Sequence, residues 1–190
     1  LNSVINSEEL ILESDGEIRQ TSSGLESDSV TIKSDDGFVL DGSWIEVNTS
    51  IDVATNKDLK LLNSSYIDAA KTAVDARALD NQDSLIQGSE ELVINSIDTF
   101  SQTNGSILGD SVSVSAGDSI KQDGGVISGK VVGLTTPEFE QLNEAQLIGD
   151  QLNLNIRKKL LNKALIQSTE SFNLGADVIE NHGLIIGQSD

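Results

Sequence analysis

The side chains that could carry out chemistry are few in this sequence, and they are not grouped. His182 is the only histidine, it lies in the turn-like stretch Asn181-His182-Gly183, and the chain has no cysteine. A catalytic site needs a nucleophile beside a base or a pair of carboxylates, and no such grouping is evident along the chain. The sequence therefore predicts no enzyme activity, and we expect a structural or solvent-exposed role for His182.

Carboxylates are the most abundant ionisable groups. The chain has 31 acidic and 12 basic residues, for a formal charge of −19. This charge argues against a nucleic-acid partner, whose phosphates require Lys and Arg, and against adsorption to an anionic membrane surface. Calcium-binding coils carry repeats of the form G-G-x-G-x-D, and this pattern does not occur in the sequence. We therefore expect no dedicated metal site and no cofactor.

One short basic run interrupts the acidic background, where Arg157, Lys158 and Lys159 follow one another. The simpler interpretation is a solvated corner at the end of a strand. A docking site for a partner protein is the alternative.

The elements that position these residues are indicated by an internal repeat. An apolar-x-apolar pair returns every 20 or 21 residues, and seventeen of its eighteen positions are apolar, Thr72 being the exception. Such recurrence is typical of a stack of similar structural units. The pairs are Leu10/Leu12, Val30/Ile32, Ile51/Val53, Thr72/Val74, Leu92/Ile94, Val112/Val114, Val132/Leu134, Leu152/Leu154 and Phe172/Leu174.

Three further columns recur in step with these pairs. A small residue follows two positions later in eight of the nine units. One apolar residue comes about six positions after the pair: Ile18, Phe38, Leu59, Leu79, Phe100, Ile120, Phe139, Leu160 and Ile179. A turn-forming residue then precedes an apolar residue by four positions: Thr21/Leu25, Asp41/Ile45, Asn63/Ile67, Asn81/Leu85, Thr103/Ile107, Asp123/Ile127, Asn143/Leu147, Asn162/Ile166 and Asn181/Ile185.

A unit of about 20 residues with strand-type alternation cannot bury its own apolar side chains, whereas stacked units share one continuous core. The repeat lacks the leucine-rich signature and is too short for helical repeats. The sequence therefore predicts an all-β protein, a right-handed parallel β-helix of nine coils, with residues 1–190 forming a single segment. At about 4.8 Å per coil the rod would be roughly 43 Å long.

The alternation of strand side chains also predicts an outward column, one position before each apolar residue that follows a turn. This column brings the only Trp and the only Tyr, Trp44 and Tyr66, onto adjacent coils of one face. Exposed aromatic residues are enriched at partner contacts, so the pair is a candidate contact patch. The alternative is that both rings cover neighbouring aliphatic side chains. The column reads Gly24, Trp44, Tyr66, Ser84, Ser106, Val126, Gln146, Leu165 and Leu184.

Two stretches of the repeat resemble a known family. Residues 76–88, ARALDNQDSLIQG, and residues 112–127, VSVSAGDSIKQDGGVI, resemble the haemagglutinin repeats of filamentous haemagglutinin and of contact-dependent growth inhibition exoproteins of Gram-negative bacteria. The resemblance extends over all nine coils and is closest in residues 72–134. The repeat is degenerate, so it indicates the family better than any one member.

The resemblance implies a large exoprotein that is secreted through an outer-membrane transporter by two-partner secretion. Its β-helix would form a filament at the bacterial cell surface, either as an adhesin and virulence factor or as a carrier that presents a toxin to a neighbouring cell. The partner would be a protein or glycan receptor on that cell or on a host cell. The secretion domain of this family carries Asn-Pro motifs, whereas the only proline here, Pro137, follows Thr136. We therefore expect an interior fragment of the exoprotein.

Other β-helical proteins are alternatives. Carbohydrate-binding or carbohydrate-cleaving β-helices, such as tailspikes and pectate-lyase-like enzymes, build a cleft from long loops. The spacing between columns varies by only a few residues here, which argues against such loops. An autotransporter passenger would share the fold with less regular coils. Binding to intact cells without turnover favours the exoprotein, whereas a sugar held in a groove favours the carbohydrate-active class.

Overall fold

The computed structural model describes residues 4–187, and within this range the chain forms seventeen β-strands and no helix. The longer strands are β1 Val4–Ser14, β3 Gly24–Ser34, β5 Trp44–Thr55, β7 Tyr66–Ala76, β9 Leu85–Ser96, β11 Ser106–Ala116, β13 Val126–Leu142, β14 Gln146–Asn162 and β15 Leu165–Gly175. The shorter strands are β2 Ile18–Thr21, β4 Phe38–Asp41, β6 Asp58–Leu62, β8 Ala78–Gln82, β10 Thr99–Thr103, β12 Ser119–Asp123, β16 Val178–Asn181 and β17 Leu184–Ile186. Between residues 4 and 187 there is thus no long apolar helix of the kind that crosses a membrane.

Each coil consists of one longer strand, which bends near its middle, and one shorter strand. In coils 7 and 8 the two parts are continuous, as β13 and β14, and β17 begins a tenth coil. We call the part of a longer strand before the bend the first face and the part after it the second face. The shorter strand is the third face, as are the segments of β13 and β14 that pair with shorter strands of adjacent coils. Every coil pairs in parallel with the next at a spacing of 19 to 22 residues, as in Leu10↔Val30, Asp41↔Leu62 and Leu165↔Leu184. The predicted β-solenoid of about nine turns is confirmed.

The predicted columns form the core. All nine apolar-x-apolar pairs stand in register on the second face, and the nine apolar residues from Ile18 to Ile179 stand in register on the third. Phe38, Phe100 and Phe139 are almost completely buried, and Phe172 is partly exposed in the last full coil. Because aliphatic and aromatic side chains stack on similar ones in the next coil, the core is continuous along the rod.

The predicted turn column is wrong in part. Asn63 and Asn143 do lie in turns, with φ angles of 55° and 45°. Asn81 and Asn162 instead lie inside the rod and are fully buried, because alternation from Leu79 and Leu160 turns their side chains inward. Asn181 belongs to the same inward column, since it pairs with Asn162.

Because Asn81 was predicted to lie in a turn, the inward residue predicted for the following strand of the first face is wrong by one position. Ile86, not Leu85, stands in register with the buried Ile67 and is itself buried. Leu85 is partly exposed in the outward column, in register with Tyr66. The predicted outward position of Ser84 is wrong, since its side chain is buried at the corner.

A column of amide side chains, buried in coils 4 to 8 and more exposed in the first and last full coils, closes the corner between the third face and the next coil. It contains Gln20, Asn81, Gln102, Gln122, Gln141, Asn162 and Asn181, interrupted by Leu40 and Leu61 in coils 2 and 3. Nε2 of Gln122 donates to the carbonyl oxygens of Gly125 at 3.2 Å and Gln146 at 2.9 Å. One amide group therefore joins its own corner to the following coil and satisfies two carbonyl oxygens.

Where leucine replaces the amide, buried serines at the neighbouring corner position supply polar contacts. The one hydroxyl hydrogen of Ser65 is shared between the carbonyl oxygens of Leu62 and Leu40, at 2.6 and 3.0 Å from Oγ. The same Oγ accepts a hydrogen bond from the backbone N–H of Ser43 at 3.2 Å. The backbone N–H of Ser65 in turn donates to Ser84 Oγ at 3.2 Å. In coils 5 to 7 this serine position holds Gly105, Gly125 and Ala145, which have no side-chain donor. The backbone groups at similar corners are thus hydrogen-bonded by a glutamine side chain in some coils and by a serine hydroxyl in others.

Leu154 tests the core register. It is 2% exposed and lies between Leu134 and Leu174 of the adjacent coils. We expect Leu154→Asp to lower the free energy of unfolding by about 4 kcal/mol or more, because an uncompensated carboxylate enters an apolar column. The control is Asn153→Asp, the exposed neighbour on the same strand. Chemical denaturation should show a large loss for the first variant only, and equal midpoints would contradict the register.

The amide column allows a paired test. Both amide atoms of Asn81 are buried without a hydrogen-bond partner, whereas Gln122 serves two carbonyl oxygens. We expect Asn81→Leu to raise the free energy of unfolding by about 1 kcal/mol and Gln122→Leu to lower it by about 2 kcal/mol, since only the second change leaves buried acceptors unpaired. Leu61 already occupies the position before Asn81 in the column, so leucine fits there. Shifts of the same sign in thermal unfolding would contradict this account.

Candidate functional site

The two residues singled out as a contact patch lie side by side on the first face. Trp44 and Tyr66 begin the longer strands of coils 3 and 4 and are direct neighbours in the parallel register. Their rings are stacked, with centroids 6.1 Å apart and planes 11° apart. The predicted proximity is confirmed, and its role in partner binding stays a prediction.

Each ring is also packed against the adjacent coil. Trp44 lies over Gly24, where a Cβ atom would collide with Cε2 and Cζ2 of the indole. Leu85 follows Tyr66 in the same outward column. Because the two rings stack on each other and the indole covers Gly24, they do not offer an open aromatic platform for a flat sugar ring. Both side chains remain partly exposed to solvent.

Three carboxylates run parallel to the aromatic pair. Glu26, Glu46 and Asp68 occupy the next outward column of the first face and are in register on coils 2, 3 and 4. The hydroxyl of Tyr66 donates to Oε1 of Glu46 at 3.1 Å. In the described part of the chain, the first-face strand segments contain no Lys or Arg to neutralise this column. The patch therefore combines aromatic surface with negative charge.

The pKa directions reflect this arrangement. Partial burial raises the pKa of the Tyr66 hydroxyl above its ordinary value, and the hydrogen bond and charge of Glu46 raise it further. Partial burial, followed by the repulsion of Glu46, raises the pKa of Asp68. Like charges stacked on neighbouring coils disfavour ionisation, and a cationic partner would relieve that repulsion.

The basic run lies elsewhere on the rod. Arg157 and Lys158 are exposed at the corner between the second and third faces of coil 8. Lys159 is partly buried, and its Nζ lies 2.9 Å from Oε2 of Glu180 in the next coil. The run is separated from Trp44 by five coils and lies away from the first face, so the structure does not unite the two predicted contact regions. The strand continues through the run to Asn162, so the basic residues do not follow a strand end.

The single histidine is exposed, and its backbone N–H donates to the carbonyl oxygen of Asn162 at 2.7 Å. Among residues 4–187, no group of three or more His, Asp or Glu side chains has the geometry to hold a metal ion.

A shallow groove of about 420 Å³ lies along the corner of coils 2 to 5. In coil 4, next to this groove, Arg77 alone separates β7 from β8. The lining of the groove includes Ile97, which is 71% exposed, and the carboxylates Asp35 and Asp75. Inserted loops, the source of clefts expected from the sequence, do not form this groove. The interval from Val74 to Leu79 is five positions instead of six, but coils 7 and 9 share this interval, so the spacing indicates a short turn and does not identify the groove.

Comparison of the chain with protein-family models, curated proteins and solved structures found no match.

The single tyrosine makes the patch accessible to spectroscopic titration. We expect the tyrosinate absorbance of the folded protein to rise with a midpoint above 10.0, the ordinary pKa. Because the folded-state pKa is raised, this group stabilises the fold below its unfolded pKa, and the contribution is lost as pH rises through the folded pKa. Glu46→Gln should lower the midpoint more than Glu140→Gln, a third-face control with the same change in net charge. A midpoint at or below 10.0, or equal effects of the two substitutions, would contradict the described hydrogen bond.

Proposed function

We propose that this chain is a β-helical filament segment of a large secreted exoprotein at a bacterial cell surface, acting in adhesion or in contact-dependent delivery of a toxin. The observation that carries the proposal is the uninterrupted stack of about nine coils in one parallel register. Such a solenoid holds a fixed shape over its whole length and adds length with each repeat. That is the mechanical property a projecting filament requires. The resemblance of residues 76–88 and 112–127 to haemagglutinin repeats supports the same function.

The acidic surface suits a filament that has to remain extended and soluble. Many stacked carboxylates have an amide or cationic neighbour on the adjacent coil. Asn95 Nδ2 donates to Asp75 at 2.9 Å, and Lys130 Nζ lies 2.6 Å from Asp110. Exposed pairs of this kind contribute little stability each. They do prevent like charges from standing directly above one another, while the net charge keeps rods apart in solution.

Within this function, Trp44 and Tyr66 form the contact patch for a receptor on the opposing cell. The neighbouring column of Glu26, Glu46 and Asp68 favours a receptor surface that carries Lys or Arg. Arg157 and Lys158 form a second, separate candidate contact for an acidic receptor surface. Secretion would require an outer-membrane transporter of the two-partner type.

A carbohydrate-active β-helix is supported less well. Its aromatic platforms must leave ring faces open, whereas here the rings stack on each other and on the neighbouring coil. The turns between strands are short throughout residues 4–187, so the described coils build no loop-walled cleft.

Binding of fluorescently labelled protein to bacterial and host cells tests the proposal. The wild type should bind saturably without releasing product from surface glycans. Trp44→Ser combined with Tyr66→Ser should abolish binding while unfolding stays cooperative, and it should lower the free energy of unfolding by more than about 1 kcal/mol, because the stacking alone contributes about that much beyond the area that the rings bury. Val93→Ser, an outward residue of the second face, serves as the matched control.

The outcomes separate the interpretations of the patch. Intact binding with reduced stability would show that the rings merely cover their neighbours. No saturable binding of the wild type to any of these cells would contradict an adhesive role. Release of glycan fragments would favour the carbohydrate-active class.

A further inference from the structure

The first face of coils 5 to 9 carries no charged side chain in its two outward columns, although 23% of the residues in the chain are charged. We call this surface the lateral strip. Nine of its ten side chains are partly exposed, and Gln146 is exposed. The third face of coils 4 to 7 carries, by contrast, Asp80, Lys121, Glu138 and Glu140. The strip consists of Leu85, Gln87, Ser106, Leu108, Val126, Ser128, Gln146, Ile148, Leu165 and Gln167.

The strip has a regular pattern. Each coil presents one aliphatic residue and one amide or hydroxyl, and the aliphatic residue changes column from one coil to the next. Leu85, Val126 and Leu165 stand in the first outward column. Leu108 and Ile148 stand in the second. The pattern therefore reads the same from either end, with Val126 at its centre.

We propose that the lateral strip pairs with the same strip of a second copy of this chain, the two rods lying side by side and antiparallel. A two-fold axis near Val126 brings Val126 against its own copy, Leu108 against Ile148, and Leu85 against Leu165. Ser128 then meets Ser128, and the two amides Gln87 and Gln167 meet each other. Every aliphatic side chain faces an aliphatic one, and every polar side chain faces a polar one. Closed two-fold pairing of this kind is the commonest symmetry of soluble oligomers.

The symmetric pattern of the strip selects a second copy as the occupant, and charge restricts where two copies can meet. Two chains of charge −19 repel each other wherever carboxylates meet. Within the two outward columns of the strip they approach without facing charges, since Glu26, Glu46 and Asp68 lie in coils 2 to 4, beyond its end. Asp110, Lys130 and Asp150 lie beside the strip, at the bend of coils 6 to 8. A parallel arrangement without offset would set each aliphatic side chain against a polar one, because the two outward columns exchange places. Antiparallel pairing avoids this mismatch.

The area indicates a reversible association. Five coils at about 4.8 Å and four to five residues of strand at about 3.3 Å give a flat area of roughly 24 by 15 Å per copy. The total of roughly 700 Å² is below the size of a stable specific interface. We therefore expect a dimer that forms only at high protein concentration. This inference is independent of the proposed receptor and of the mode of secretion.

Sedimentation equilibrium from about 10 µM to about 1 mM, a range that covers weak association, tests the pairing. We expect Val126→Lys to raise the dissociation constant at least about tenfold, because two cations meet at the axis. Val93→Lys, on the second face of the same rod, should leave it unchanged, and circular dichroism should show both variants folded. A wild type that is monomeric at every concentration, or equal effects of the two variants, would overturn the proposal.

The antiparallel register has its own test. Leu108→Lys and Ile148→Glu should each weaken self-association, and mixing the two variants should restore dimers because the new charges face each other across the axis. The chain has no cysteine, so Val126→Cys provides a single attachment point. A short bis-maleimide should bridge two such sites across packed sheets about 10 Å apart, and it should not bridge Val93→Cys. Absence of rescue by mixing, or equal cross-linking of the two cysteine variants, would overturn the antiparallel arrangement.

Discussion

A coil of about twenty residues has no means of pairing its own backbone groups or burying its own apolar side chains, so it depends on the coils above and below. The parallel register between coils meets both needs at once. Each strand exchanges hydrogen bonds with its neighbours, and each inward side chain lies on a similar one about 4.8 Å away. Once the register is fixed, every residue belongs to a column. The character of each column then decides whether the stack is stable.

Each coil adds one residue to every column, so the energetic effect of a column grows with the number of coils. An apolar residue on every coil produces a continuous core, whereas a charge on every coil produces repulsion that grows with length. Several outer columns place an asparagine or lysine next to a carboxylate, as in Asn48–Asp28, Asn63–Asp41 and Asn143–Asp123. Asn6 donates to Glu26 at 3.3 Å at the start of the first-face column, but no amide or cation separates Glu26, Glu46 and Asp68 from one another. Repulsion between adjacent carboxylates lowers stability, and such unfavourable local features are expected at binding surfaces. Here the repulsion occurs beside the stacked aromatic pair.

The interior shows how a degenerate repeat tolerates change. Buried corner carbonyls are satisfied by glutamine in some coils and by serine in others, and the two solutions occupy different stretches of one rod. A repeat can therefore diverge residue by residue while each backbone group keeps a partner. The same tolerance of substitution leaves an occasional buried polar group without a hydrogen-bond partner, such as the side-chain amide of Asn81. It also weakens the sequence signature, because no single position has to be invariant.

The sequence by itself determined the fold class, the period and most of the core, because alternation and recurrence are local properties that can be counted along the chain. It also placed Trp44 beside Tyr66. It failed at Asn81 and Asn162, because asparagine favours turns in isolation, and only the strand register showed that these side chains point inward. That error displaced Leu85 and hid the charge-free strip. The hydrogen bond from Tyr66 to Glu46 and the packing of Trp44 on Gly24 were decided by the tertiary structure alone, since both join residues about twenty positions apart through the stacking of coils.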